Sequence, residues 1–151
     1  MGLNGLAAGA AVVGCSCQMI GFAVASYRAN GFGGSVAQGV GTSMIQIPNI
    51  MRHPQIWIAP TAAAAILGPV SSAVFKMTNT SIGSGMGTSG LVGQFEAFRS
   101  MSGSFGVWQT ALLVALMHFI LPAALTLLID FVLRKAGWIK KDYMKLPSLT
   151  K

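Results

Sequence analysis

The sequence predicts an all-α integral membrane protein, with about three transmembrane helices and two glycine-rich segments that are re-entrant or interfacial. Apolar residues make up 53% of the 151 residues and charged residues only 9%. Soluble domains carry about 25% charged residues, so this chain has too little charge to cover a water-facing surface. The apolar residues also form long runs, and most of the basic residues follow the last run.

Three apolar runs, at 3–27, 56–75 and 105–133, are the predicted spans. Each run is as long as, or longer than, the roughly 20 residues that a helix needs to cross the hydrocarbon layer of a bilayer. We therefore assign 1–133 to one membrane domain and 134–151 to a basic tail outside the membrane.

Basic residues are concentrated in that tail, which holds six of the ten in the chain: Arg134, Lys135, Lys140, Lys141, Lys145 and Lys151. An excess of lysine and arginine beside a span marks its cytoplasmic side. The net charge of +7 therefore belongs to a membrane flank and not to a nucleic-acid surface. Three spans place the N-terminus outside; a full crossing by 35–50 would move it inside.

A glycine motif occurs twice between the spans. The first motif, Gly39-Val40-Gly41-Thr42-Ser43, is repeated as the second motif, Gly85-Met86-Gly87-Thr88-Ser89, and a glutamine follows each, Gln46 and Gln94. Glycine-rich backbone forms poor helices and poor strands. At membrane depth such backbone is tolerated only where protein or a water-filled cavity surrounds it. If 35–50 and 81–94 re-enter the membrane, they imply a cavity.

Two ionisable residues near the membrane interior are candidate site residues. His118, about halfway along the last apolar run, is either a site residue or a histidine that bonds a neighbouring helix. Glu96 follows the second motif, where it either accepts hydrogen bonds from sugar hydroxyls or pairs with Arg99 at the rim.

Soluble-enzyme chemistry has no counterpart in this sequence. It contains no paired carboxylates, no cluster with metal-ligand spacing and no Walker-type loop with its lysine. Cys15 and Cys17 point about 200° apart on a helix, so they neither pair nor chelate a metal together. We predict no metal, no cofactor and no catalytic or phosphoryl-accepting residue, and enzymatic activity stays undecided.

Five stretches, at 5–15, 39–49, 56–60, 85–94 and 118–122, resemble the enzyme IIC membrane components of the bacterial sugar phosphotransferase system. The resemblance implies a subunit of the bacterial inner membrane that binds and translocates a sugar or polyol, while a soluble IIB component phosphorylates it. A sugar requires a cage of hydroxyl, amide and carboxylate groups that backbone can approach closely. We expect that cage to comprise Thr42, Ser43, Gln46, Asn49, Gly85, Gly87, Thr88, Ser89, Gln94, Glu96 and His118.

Two departures from the family pattern qualify this expectation. Members of the family are longer, and this chain begins where their C-terminal half would, so we expect it to assemble with a second copy or with a complementary N-terminal half. No IIB domain is attached, so that partner would be a separate chain. The alternatives are a non-transporting half-transporter or assembly partner, whose glycines serve helix packing only, and a passive channel.

Overall fold

A computed structural model describes residues 4–146, apart from the side chain of Lys141. The described chain is helical, without a named strand, which confirms the predicted all-α class. Its α-helices are α1 (Leu6–Ala25), α2 (Tyr27–Val36), α3 (Ile47–Arg52), α4 (Ile58–Ala73), α5 (Ser81–Ser84), α6 (Val92–Phe105), α7 (Val107–Ala115) and α8 (Leu121–Lys135). Two π-helical turns, Ala37–Gly41 and Leu116–Ile120, lie next to α2 and between α7 and α8.

Within residues 4–146, three helices are long and apolar enough to cross a membrane: Leu6–Ala25, Pro54–Ala73 and Val107–Lys135. They overlap the three predicted spans. The third begins later than predicted because Gly106, with φ of +80°, separates it from α6. It also continues past its predicted end, since Arg134 pairs with Asp130 one turn earlier at 2.5 Å.

The three long helices pack side by side as a bundle, in which α1 contacts both α4 and α8 and these two contact each other. Their shared core is apolar and includes Val12, Val13, Cys17, Ala63, Leu67, Met77, Ala97, Met101, Val114 and Met117. Small residues allow close approach along α1. Gly9 packs directly against the backbone carbonyl of Met77.

The chain after α4 turns back along α1 before it leaves again. It begins level with the start of α1, where the Gly5 and Asn79 backbones exchange hydrogen bonds of 3.0 and 3.2 Å. It reaches the middle of that helix at Gly87, which packs on Cys15, about 15 Å along at 1.5 Å per residue. It then returns through α6. The second glycine motif is therefore at the tip of a hairpin that folds back along α1.

The chain after α1 also folds back along α1, from the opposite end of the bundle. It reverses at Gly31, whose φ of +64° interrupts α2. The Ser35 hydroxyl then donates to the carbonyl of Ala23 at 2.8 Å, and Gly39 packs against the Ala23 side chain. This segment is helical almost throughout, so the glycines of the first motif do not prevent helix formation, whereas the second motif consists of turns and a 3₁₀ helix.

The contact of Gly9 generates a stability prediction. A Cβ atom at Gly9 would overlap the Met77 carbonyl oxygen and lie 2.6 Å from its carbon. We expect Gly9→Ala to destabilise the protein by about 1–3 kcal/mol, because backbone atoms must move to relieve the overlap. The measurement is thermal unfolding in detergent, followed by circular dichroism.

The matched control is Gly103→Ala in α6, where an added Cβ meets no atom within 4 Å. It should stabilise the protein by about 0.5–1 kcal/mol through helix propensity. An equal increase in unfolding temperature for both variants would contradict the close packing of Gly9.

Candidate functional site

The two glycine motifs meet beside α1. The Thr88 hydroxyl donates a hydrogen bond to the carbonyl of Gly39, and the Ser89 hydroxyl donates to the carbonyl of Gly41 at 2.9 Å. Thr88 is fully buried. Two stretches that are nearly identical in sequence thus contact each other asymmetrically, with hydroxyls from the second and carbonyls from the first.

This asymmetry follows from how the first motif folds. Its π-helical turn ends at Thr42, which is extended, with φ of −156° and ψ of 137°. The last carbonyls of a helix have no partner within the helix. The second motif supplies hydroxyl donors to two of them. The Thr42 hydroxyl instead accepts from the N–H of Met44 at 3.2 Å, within its own segment.

Glycines of the hairpin that carries the second motif allow the backbones of Cys15, Gly87 and Gly93 to lie in contact. Gly87 has φ of +54°, and a Cβ there would lie 2.9 Å from the carbonyl carbon of Cys15. A Cβ at Gly93 would overlap the Gly87 carbonyl oxygen and lie 2.6 Å from a methyl of Val12. The Asn79 amide donates to the Gly93 carbonyl at 3.1 Å, which closes the hairpin.

Gln94 and His118 form a buried polar pair beside this contact. The Gln94 amide nitrogen donates to His118 Nδ1 at 2.9 Å, which leaves the ring proton on Nε2. Gln94 is 8% exposed and His118 is fully buried. Gln94 Oε1 and His118 Nε2 have no hydrogen-bond partner within the described residues. His118 therefore bonds a neighbouring helix and also keeps a free donor.

An apolar groove of about 420 Å³ lies between α6 and α7. Its walls are Leu91, Gln94, Phe95, Phe98, Ala111, Val114, Ala115 and Phe119. The surface of this groove is apolar, because Gln94 Oε1 is buried, so the groove suits the apolar face of a ligand.

Gln46 and Asn49 are buried in a separate group nearer the other end of α1. The Gln46 amide donates to Gln38 Oε1 at 2.8 Å and to the carbonyl of Met144 at 3.0 Å. The Asn49 amide donates to Gln46 Oε1 at 2.8 Å and to the carbonyl of Lys145 at 3.0 Å. These two predicted cage residues therefore hold the C-terminal part of the chain.

The remaining predicted residues lie apart from the motif contact. Glu96 accepts from the Thr80 hydroxyl at 2.6 Å, and Arg99, 84% exposed, is 4.0 Å from it. Gly85 and Thr42 are exposed and Ser43 is half-buried. The structure thus brings together Gly87, Thr88, Ser89, Gln94 and His118, and leaves Thr42, Ser43, Gln46, Asn49, Gly85 and Glu96 outside that group.

Sequence reasoning missed Gln38 and Asn79, both buried polar residues that organise the site. Gln38 precedes the first motif directly, so its position next to Gly39 was the available signal. Asn79 has no comparable signal, because its role depends on the hairpin closing against Gly93.

Metal ligation finds no support within the described residues, which contain no group of three or more histidine, cysteine or acidic residues placed to hold an ion. Cys15 and Cys17 are free thiols.

Comparison with known proteins gives one match. A family model described as the phosphotransferase system EIIC matches residues 1–146. No curated protein and no solved structure matches the chain.

The hydrogen bond between the motifs generates the prediction for this site. Thr88→Val keeps the shape of the side chain but leaves the Gly39 carbonyl without its hydroxyl donor. We expect a loss of about 1–3 kcal/mol in the free energy of unfolding, the cost of a buried unsatisfied polar group. Denaturant unfolding of the purified protein measures it.

Thr88→Ser is the matched control, because it keeps the hydroxyl and should retain most of the stability. Equal stability of the valine variant and the native chain would show that the contact between the motifs does not depend on this hydrogen bond.

Proposed function

The chain belongs to the phosphotransferase system EIIC family, and from that premise we propose that it is the sugar-binding and translocating subunit of a phosphotransferase-type uptake system. Membership of this family implies a sugar permease component. The finer proposal is that a sugar or related polyol binds beside the contact between the two glycine motifs, where Gln94 and His118 orient it.

One observation carries this proposal. Gln94 Oε1 is a buried acceptor and His118 Nε2–H is a buried donor, and neither has a partner in the described chain. Leaving such groups unpaired costs about 1–3 kcal/mol each. A sugar hydroxyl both donates and accepts, so adjacent hydroxyls of one polyol satisfy both groups.

Thr88 and Ser89 have a second role in this proposal. Their hydroxyls donate to carbonyls of the first motif, so their oxygens retain acceptor capacity toward a ligand hydroxyl. Phe95 and Phe98, which line the groove, supply the apolar faces against which the C–H side of a sugar ring packs.

The proposed setting is the bacterial cytoplasmic membrane, with the C-terminus in the cytoplasm. The six basic residues that follow Leu133 support that orientation through the positive-inside rule. The proposed partners are the lipid bilayer, a soluble IIB component that phosphorylates the sugar, and a second copy or a complementary N-terminal half.

The test is uptake of radiolabelled hexoses, pentoses and alditols by cells that express the chain with a IIB component, alone or with a candidate N-terminal half. We expect label to arrive phosphorylated. Gln94→Leu should reduce uptake by about tenfold or more, since it removes a ligand acceptor and leaves His118 unpaired.

The matched control is Gln109→Leu, the same substitution at an exposed position of α7, which should leave uptake unchanged. Membrane expression and unfolding temperature are measured for both variants. No uptake in any combination would favour a packing-only membrane protein, whereas unphosphorylated label entering without IIB would indicate a passive channel.

A further inference from the structure

The segment at 140–146, which follows the last long helix, folds back onto the bundle. It contains a 3₁₀ turn, Lys141–Met144. Met144 is fully buried and Leu146 is 4% exposed. Met144 joins a second apolar cluster with Phe22, Ile56 and Ile139. A basic tail free in water would not bury these side chains.

Three amide side chains form hydrogen bonds with the backbone of this segment. The Asn30 amide nitrogen donates to the Met144 carbonyl, and its oxygen accepts from the Leu146 N–H, each at 2.8 Å. Gln46 and Asn49 donate to the carbonyls of Met144 and Lys145, each at 3.0 Å. All four bonds involve main-chain atoms of 144–146. Hydrogen bonds to the main chain are a common means by which proteins bind peptides.

Side chains of the segment also contact this surface and add selectivity to the backbone hydrogen bonds. The rings of His53 and Tyr143 are stacked, with centroids 3.7 Å apart and planes 7° apart. Met144 and Leu146 fill apolar space beneath the amides. The surface therefore fits a peptide that makes one 3₁₀ turn and then extends, with an aromatic residue followed by apolar residues one and three positions later.

The same amides connect the segment to the first glycine motif. Gln46 donates to Gln38 Oε1 at 2.8 Å, and the Gln38 amide donates to the Ser26 hydroxyl at 2.7 Å and to the Gly34 carbonyl at 2.9 Å. Gln38 directly precedes Gly39, whose carbonyl accepts from Thr88. Hydrogen bonds and one stretch of backbone thus join the segment to the contact between the motifs.

We propose that Asn30, Gln46, Asn49 and His53 form a peptide-binding site, which the chain's own segment 140–146 occupies reversibly as a latch on the first glycine motif. When the segment leaves, Gln46 loses a partner and the restraint on Gln38 weakens. The peptide site stands on these contacts alone, whereas control of sugar binding by the latch rests on the function proposed above.

Hydrogen–deuterium exchange of the full chain in detergent micelles tests the latch without any sugar. Leu146→Pro removes the N–H that Asn30 accepts, and Lys145, at φ of −72° and ψ of 126°, already has a conformation that a following proline permits. Tyr143→Ala removes the stack on His53. In both variants the amides of 37–49 should exchange about fivefold faster, the factor expected for loss of roughly one net hydrogen bond.

Lys145→Ala is the control, because its side chain is exposed and the substitution keeps its carbonyl; its exchange should match the native chain. A synthetic peptide with the sequence of 140–146, added to the Tyr143→Ala variant, should slow exchange of 37–49 again.

Three results would overturn the latch: unchanged exchange of 37–49 in both variants, faster exchange that extends equally into α4, or no protection by the added peptide. Failure of sugar uptake bears only on the proposed function, since exchange is measured without substrate.

Discussion

Two hydrogen bonds between the glycine motifs form the central contact between the two segments that fold back along α1. The segment that carries the first motif ends there with backbone carbonyls that have no partner within its own helix, and a buried carbonyl left unpaired costs about 1–3 kcal/mol. Thr88 and Ser89 satisfy the carbonyls of Gly39 and Gly41. The glycines around them let the backbones come within reach, so the motif combines close approach with the hydroxyls that such approach requires.

Both π-helical turns of the described chain lie near the contact between the two glycine motifs. One, Ala37–Gly41, presents the carbonyls that the second motif caps, and the other, Leu116–Ile120, carries His118. A π-turn adds one residue to a helical turn and breaks the regular i→i−4 ladder, and such turns are frequent at functional sites. In the long third helix the extra residue directs His118 toward Gln94 while Trp108, near its start, remains 87% exposed.

The sequence predicted the helical class and the three spans, because the length of an apolar run determines these features locally. It also identified both glycine motifs as parts of the candidate site. It did not predict that Gln46 and Gln94, which follow equivalent motifs, have different partners. That difference arises because one motif forms a π-turn against α1 and the other a hairpin tip, and tertiary contacts select between the two. The sequence did not predict the packing of 140–146 either. The basic residues of this segment indicated an exposed tail, whereas its Met144 is buried by tertiary contacts.

The arrangement also constrains how a path through the bundle could open. The two segments fold back from opposite ends of α1 and stop against each other, so a continuous path between them requires the contact between the motifs to change. Two hydrogen bonds hold that contact directly, worth about 0.5–1.5 kcal/mol each in net terms. A ligand shifts such an equilibrium only through its different affinity for the two states. A polyol that binds beside the motifs, as proposed above, has that property when its hydroxyls reach Thr88 and Ser89 better in one of the two states. A contact held by two hydrogen bonds is therefore open to the control that the proposed transport role requires.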